Sequence, residues 1–187
     1  MRLSLAVAAL VVAGAAEPAR ADAKLDAAVA KAEAQLAKGK EDEAVKILQK
    51  AAAQAPKDPE PALVLAQFLA RLGKLEDAGA SLTRASELSA SASPAVKARV
   101  LVARSSMALR MGGAAEALAL AQQAVQADGG ASSLSALARA QARLGLPAAR
   151  ETAERAVKGG TSSAAAHIAQ GDALLAAHLG REAEARL

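Results

Sequence analysis

The stretch Gly39-Lys40-Glu41-Asp42-Glu43-Ala44 runs on through Ala51 to Pro56, and returns as Gly73-Lys74-Leu75-Glu76-Asp77-Ala78 with Ala85 behind it. Gly39 and Gly73, Ala44 and Ala78, and Ala51 and Ala85 are each 34 residues apart. Three anchors on one period mark a helical repeat array, in which each unit buries its apolar face only against its neighbours. Leu25, Ala28, Val29, Ala32 and Leu36 precede the first glycine at helical spacing, and Ala44, Val45, Ile47, Leu48 and Ala51 follow it in the same way. The glycine between them suits a helix end, where it accepts positive φ without strain. Acids at the start of the second helix complement its dipole. Pro56 and Pro59 are expected to end it.

Working outward, residues 24–38 and 41–54 form the first helix pair. Residues 60–72 and 75–88 form the second, with Pro61 in a first turn. Leu63, Val64, Leu65, Phe68 and Leu69 supply most of the bulk. Ser93-Pro94 then reads as an N-cap followed by proline at the first helical position. Gly112 falls 39 residues after Gly73, so about five residues are inserted; they lengthen the start of a helix over 94–111. Ala117 and Ala124 keep the usual distance from Gly112. A fourth unit over 132–158 turns at Gly145, opens its second helix at Pro147, and has Ala149 and Ala156 as anchors. A fifth first helix over 163–179 leads through Gly180 into a second helix of only two turns.

Composition bounds the chemistry. Of 187 residues, 53% are hydrophobic but only 1% aromatic, because Ala and Leu dominate, and both favour helix. There is no Cys, which excludes disulfides, thiolate catalysis and cysteine-based zinc sites. The net charge of +4 is scattered with both signs on the same helices, and Phe68 is the single aromatic residue. Nucleic-acid binding therefore lacks both a basic patch and a stacking platform. Ser105-Ser106, Ser132-Ser133 and Ser162-Ser163 read as cap or helix-surface serines with no partnering His–Asp set. The glycine pairs at 112–113, 129–130 and 159–160 are turns without the strand a phosphate loop needs. His167 and His178 lie about 16 Å apart on one helix face, too far to share a metal. The expectation is no enzyme, no cofactor and no metal.

The N-terminus has its own logic. Met1-Arg2 is a minimal basic region, and Leu3 to Ala13 is an apolar run of signal-peptide length, too short for a membrane span. Ala13-Gly14-Ala15 and Ala19-Arg20-Ala21 both offer a small-x-small cleavage site, the second favoured because Pro18 is expected to break the helix just upstream. The expectation is a signal peptide over 1–21, cleavage after Ala21, and a periplasmic or secreted chain over 22–187 without a transmembrane span. An uncleaved N-terminal anchor is the alternative.

These glycine and alanine offsets resemble the tetratricopeptide repeat. The resemblance implies an all-α, right-handed α-solenoid of helix-turn-helix units over about 25–58, 59–92, 98–130 and 131–163, with a partial unit over 164–187. In that family a glycine sits in each turn, here Gly39, Gly73, Gly112, Gly145 and Gly180. Small residues sit where the helices cross, here Ala44, Ala78, Ala117, Ala149 and Ala185, with Ala51, Ala85, Ala124 and Ala156 as a second set. Pro56 matches the family's closing proline, which later units lack. Large residues common in the family are missing: Ala28, Ala62, Leu101 and Leu134 replace one, and Leu48, Leu82, Ala121 and Ala153 another. Less area is buried, at ~25 cal/mol per Å², so a locally cooperative solenoid with a fraying fifth unit is expected.

The resemblance implies a non-catalytic scaffold or adaptor, set by the signal segment in the cell envelope, whose first helices line a concave groove. Residues two, six, nine, ten and thirteen before each turn glycine share that face. Two before, Arg71, Arg110 and Arg143 cross three consecutive units, where the first unit has Ala37; Arg99, Arg139, Gln67 and Glu33 join them at the other offsets. The planar guanidinium suits carboxylates, so one reading is a groove for an acidic or C-terminal peptide segment. The other is that arginines near helix C-termini complement the dipole. The chain has no Asn, which disfavours the family's carboxylate clamp. Asp26 and Glu33 make the first unit acidic. Partners are expected to be protein, with self-association into a homo-oligomer as the alternative.

Overall fold

The computed structural model describes the backbone of residues 17–159 and side chains from residue 23 onward. Eight α-helices follow one another there: α1 (Glu17–Leu36), α2 (Glu41–Gln54), α3 (Pro59–Arg71), α4 (Leu75–Leu88), α5 (Pro94–Arg110), α6 (Ala114–Ala127), α7 (Ala131–Arg143) and α8 (Ala148–Gly159). A short 3₁₀ turn, Ser89–Ser91, extends α4. No strand occurs among the described residues, and the fold class is an all-α solenoid of helix hairpins. The fifth unit, with Gly180, Ala185, His167, His178 and Ser162-Ser163, lies outside the described residues, as does most of the expected signal segment.

The turns explain the period. Gly39, Gly73, Gly112 and Gly145 have φ of 73°, 77°, 84° and 66°, and no other described residue has positive φ. Each closes the same pair of backbone bonds. At the first, Gly39 N–H donates to Leu36 C=O at 2.9 Å and Lys40 N–H to Gln35 C=O at 3.0 Å. Gly73 and Lys74, Gly112 and Gly113, and Gly145 and Leu146 repeat that geometry on their own helices. This is the Schellman arrangement, which satisfies helix-end carbonyls and needs a left-handed residue. Two helix starts carry side-chain caps as well. Asp58 accepts from Glu60 N–H at 3.0 Å, and Ser93 accepts from Val96 N–H at 3.4 Å with Pro94 behind it.

Three boundaries bear on the expectation. Pro59 opens α3 instead of ending the helix before it, because Asp58 caps that helix and a proline at its first position loses no hydrogen bond. Pro18 lies in α1, whose described part begins at Glu17, and the helix break expected upstream of Ala21 falls largely outside the described residues. The insertion before the third unit does lengthen its first helix: α5 has 17 residues against 13 in α3 and α7.

The chain divides into two compact units, up to Ala51 and from Ala52 onward. In the first, Ala32 and Ala44 are fully buried and Leu48 nearly so. In the second, α3 packs on α4, α5 on α6 and α7 on α8 as hairpins, and successive first helices touch, α3 with α5 and α5 with α7. That lateral contact puts equivalent positions of successive units side by side.

The core is built from small side chains. Ala78, Ala117 and Ala149 are buried, as are Ala85, Ala124 and Ala156. Ala51 differs: it is half-buried, and burial in α2 falls on Ala52 because the buried stripe there is turned toward Val45. The structure adds a further small position. Ala32, Ala66, Ser105 and Ala138 stand seven residues before their turn glycines, each no more than 2% exposed. Ala138 clusters with Ala142, Ala149 and Ala153 across the α7–α8 crossing. Interaxial distance follows side-chain size at the contact, so alanine at both crossings lets the helices approach closely. The signal for this position is present in the sequence, since all four residues are small and share the glycine period.

The serine pairs need correction. Ser105 and Ser133 are buried, not on the helix surface, while Ser106 is half-buried and Ser132 exposed. Ser105 fits because its hydroxyl donates to Ala117 C=O on α6 at 2.9 Å, satisfying the one polar atom the crossing would otherwise strand.

Candidate functional site

The face shared by α3, α5 and α7 is the strongest candidate surface of the second unit. Arg71, Arg110 and Arg143 are the last residues of those three helices and are all exposed. Helix-end position and exposure suit both dipole complementation and ligand contact. Between the ends, Val64, Val102 and Ala103 form a half-buried apolar strip, with exposed Gln67 and half-buried Ser106 beside it.

The arginines are not equivalent. Arg99 Nη1 donates to Glu60 Oε1 at 2.5 Å, across the α3–α5 contact. These residues occupy the same offset in successive units, and Glu60 is the only acid at the five face positions of α3, α5 and α7. Arg99 therefore has its counter-charge inside the fold. Arg71 lies over the Phe68 ring, 5.5 Å from its centroid, one turn back on its own helix. That contact anchors the guanidinium against a side chain only 4% exposed. Arg139 is half-buried. Arg110 and Arg143 make no hydrogen bond or ion pair with another described residue. Neighbouring first helices lie roughly 10 Å apart, so these two cations face the same side of the array at about that spacing.

Glu33 is half-buried and Asp26 exposed on α1; both belong to the first compact unit. Among the described residues, no cluster of His, Asp and Glu could hold a metal ion. No described helix is long and apolar enough to cross a membrane.

Comparison with known proteins agrees with this architecture. Residues 35–99 match the sequence model of the tetratricopeptide repeat. No curated protein matches the sequence. Among solved structures, the pilF protein of Pseudomonas aeruginosa superposes with a TM-score of 0.64 at 20% identity, over 87% of this chain and 72% of its own. The MamA protein superposes with a TM-score of 0.58 at 20% identity, over 87% of each chain. The crystal structure of the APC/C hetero-tetramer Cut9–Hcn1 contains a chain that matches with a TM-score of 0.63 at 20% identity. That match covers 81% of this chain, which spans only 30% of the other. Helix-turn-helix units, turn glycines and small crossing residues together define a repeat scaffold. Residues 35–99 are thus similar to the tetratricopeptide repeat, and the described residues share the helix-hairpin fold of these solved structures.

Proposed function

We propose that the protein is a non-catalytic adaptor that holds an acidic segment of a partner protein on the face of α3, α5 and α7. The observation that carries this reading is the pair Arg110 and Arg143. They are exposed guanidinium groups at equivalent positions of adjacent units, without an ion pair among the described residues. A guanidinium binds a carboxylate through two parallel hydrogen bonds, and Val64, Val102 and Ala103 offer apolar contact between the charged ends. Arg71, Gln67 and Arg139 border the same surface, and Arg99 supports it through Glu60. Precedent for a protein partner comes from Cut9, which is found in a hetero-tetramer with Hcn1.

The expected site of action is the periplasm or cell exterior, reached through a signal segment over 1–21. N-terminal sequencing of the exported chain should begin at Asp22; a start at Met1 would favour the anchored alternative. The binding test is a crosslinking pull-down from native envelope with wild type and with Arg71, Arg110 and Arg143 all changed to Glu. Loss of the partner with helicity intact supports the reading, and retention of the partner overturns it.

Self-association is the second reading, because Met111, Leu144 and Leu146 are exposed apolar residues flanking the turn glycines of successive units. Sedimentation over a range of concentrations separates the two: a monomer throughout excludes self-assembly.

A further inference from the structure

A slot of about 270 Å³ opens between α4 and α5, away from the arginine face. Leu82, Met107 and Gly79 form its apolar wall, Met111 its rim, and Arg104 and Glu116 its polar edge. Gly79 creates the space. It sits inside α4, where glycine is unfavourable, and a Cβ built on it would touch nothing within 4 Å. Six residues after the turn glycine, the first and third units have Val45 and Leu118 where the second has Gly79. The missing side chain is particular to one unit, and the slot lies beside it.

The slot has a direction. Arg104 and Met107 lie on one stripe of α5 that its C-cap Met111 continues, spanning about 10 Å at ~1.5 Å rise per residue. Each follows by one residue a member of the arginine face (Ala103, Ser106 and Arg110), so the stripe is turned about 100° from that face. At one end Arg104 donates to Ser86 Oγ on α4 at 3.3 Å, which uses one of five guanidinium donors and leaves the positive charge without a carboxylate. Toward the other end stands Glu116, exposed and without a partner among the described residues. The only other polar side chain in the wall is Thr83, whose hydroxyl donates to Gly79 C=O at 3.1 Å. The slot is thus apolar in the middle, cationic at one end and anionic at the other.

We propose that this slot docks an amphipathic helix of a partner protein. An aliphatic side chain enters beside Gly79, an acidic residue faces Arg104, and a basic residue faces Glu116. A helix suits it because the slot features repeat with α5's own period, so another helix presents side chains at matching intervals. Opposite charges at the two ends of the slot set the charge pattern that the partner must have.

The test uses three Ala- and Gln-based helical peptides, each with a pair of leucines one turn from either charge. One carries Glu and Lys two turns apart, one Glu at both places, one Lys at both. Titration calorimetry with the full chain should rank the Glu–Lys peptide first, by roughly two- to fivefold over either like-charged peptide. Gly79→Leu fills the slot and improves helix propensity, and should weaken all three by roughly tenfold or more while leaving the melting temperature unchanged or higher. Arg104→Glu makes both ends acidic, so the Lys–Lys peptide should become the tightest. Equal binding of the three peptides by wild type, undiminished binding by Gly79→Leu, or an unchanged ranking in Arg104→Glu would each overturn the proposal.

Discussion

Glu60 and Arg99 form an ion pair between adjacent first helices, and each stands thirteen residues before its own turn glycine. Their separation of 39 residues equals the spacing of Gly73 and Gly112. The pair shows that equivalent positions of α3 and α5 meet in space. It also removes Arg99 from the cations that a ligand could use unopposed.

Its energetic weight should be small. The Arg99 side chain is 52% exposed and Glu60 16%, and an exposed pair contributes about 0.2–1 kcal/mol. A double-mutant cycle with Arg99→Ala and Glu60→Ala should give a coupling of about 0.5 kcal/mol that shrinks in high salt. Coupling above about 2 kcal/mol would mean that the pair is screened far less than its exposure implies.

The same pairing orders the arginines for binding. Arg110→Gln and Arg143→Gln should each weaken an acidic peptide by about two- to fivefold, whereas Arg99→Gln should change its affinity little. Fluorescence titration with a Glu-rich peptide checks this. An effect of Arg99→Gln as large as that of Arg110→Gln would place the ligand elsewhere on α5.

Two glycines should respond in opposite directions to the same substitution. Gly73 has φ 77° with open space around it, so Gly73→Ala meets no clash but must hold a left-handed backbone; the expected loss is about 1–2 kcal/mol. Gly79 is helical with equally open space, so Gly79→Ala should stabilise by about 0.8–1 kcal/mol. Urea denaturation of both variants measures the difference.

The helix crossings should tolerate loss of a hydroxyl but not added bulk. Ser105→Ala removes one buried hydrogen bond and places in the third unit the residue that the others have; it should cost about 1 kcal/mol. Ala138→Leu forces α7 away from α8 and should cost about 2–3 kcal/mol or more. Thermal melts followed by circular dichroism distinguish these outcomes.

Most of the fold is legible in the sequence because it depends on local chemistry repeated at a fixed interval. A left-handed turn requires glycine, so Gly39, Gly73, Gly112 and Gly145 mark the hairpins directly. Ser93-Pro94 marks a helix start, since a side-chain cap and a proline at the first position act within one turn. Pro59 misleads because proline can either end one helix or begin the next, and the cap at Asp58 decides between them.

The candidate surfaces are legible only in outline. The chain by itself determined the period, the turn and the arginine series, all set by residue type and spacing along one helix. Tertiary structure decided which arginine keeps its charge for a partner, because Glu60 reaches Arg99 only once α3 lies against α5. It also decided that Ser105 is an interior strut and not a surface serine, through the approach of α6. The slot beside Gly79 belongs to the same category. A missing side chain is visible in the sequence, but whether it leaves a void depends on what a neighbouring helix puts opposite it, and that is fixed by packing across units.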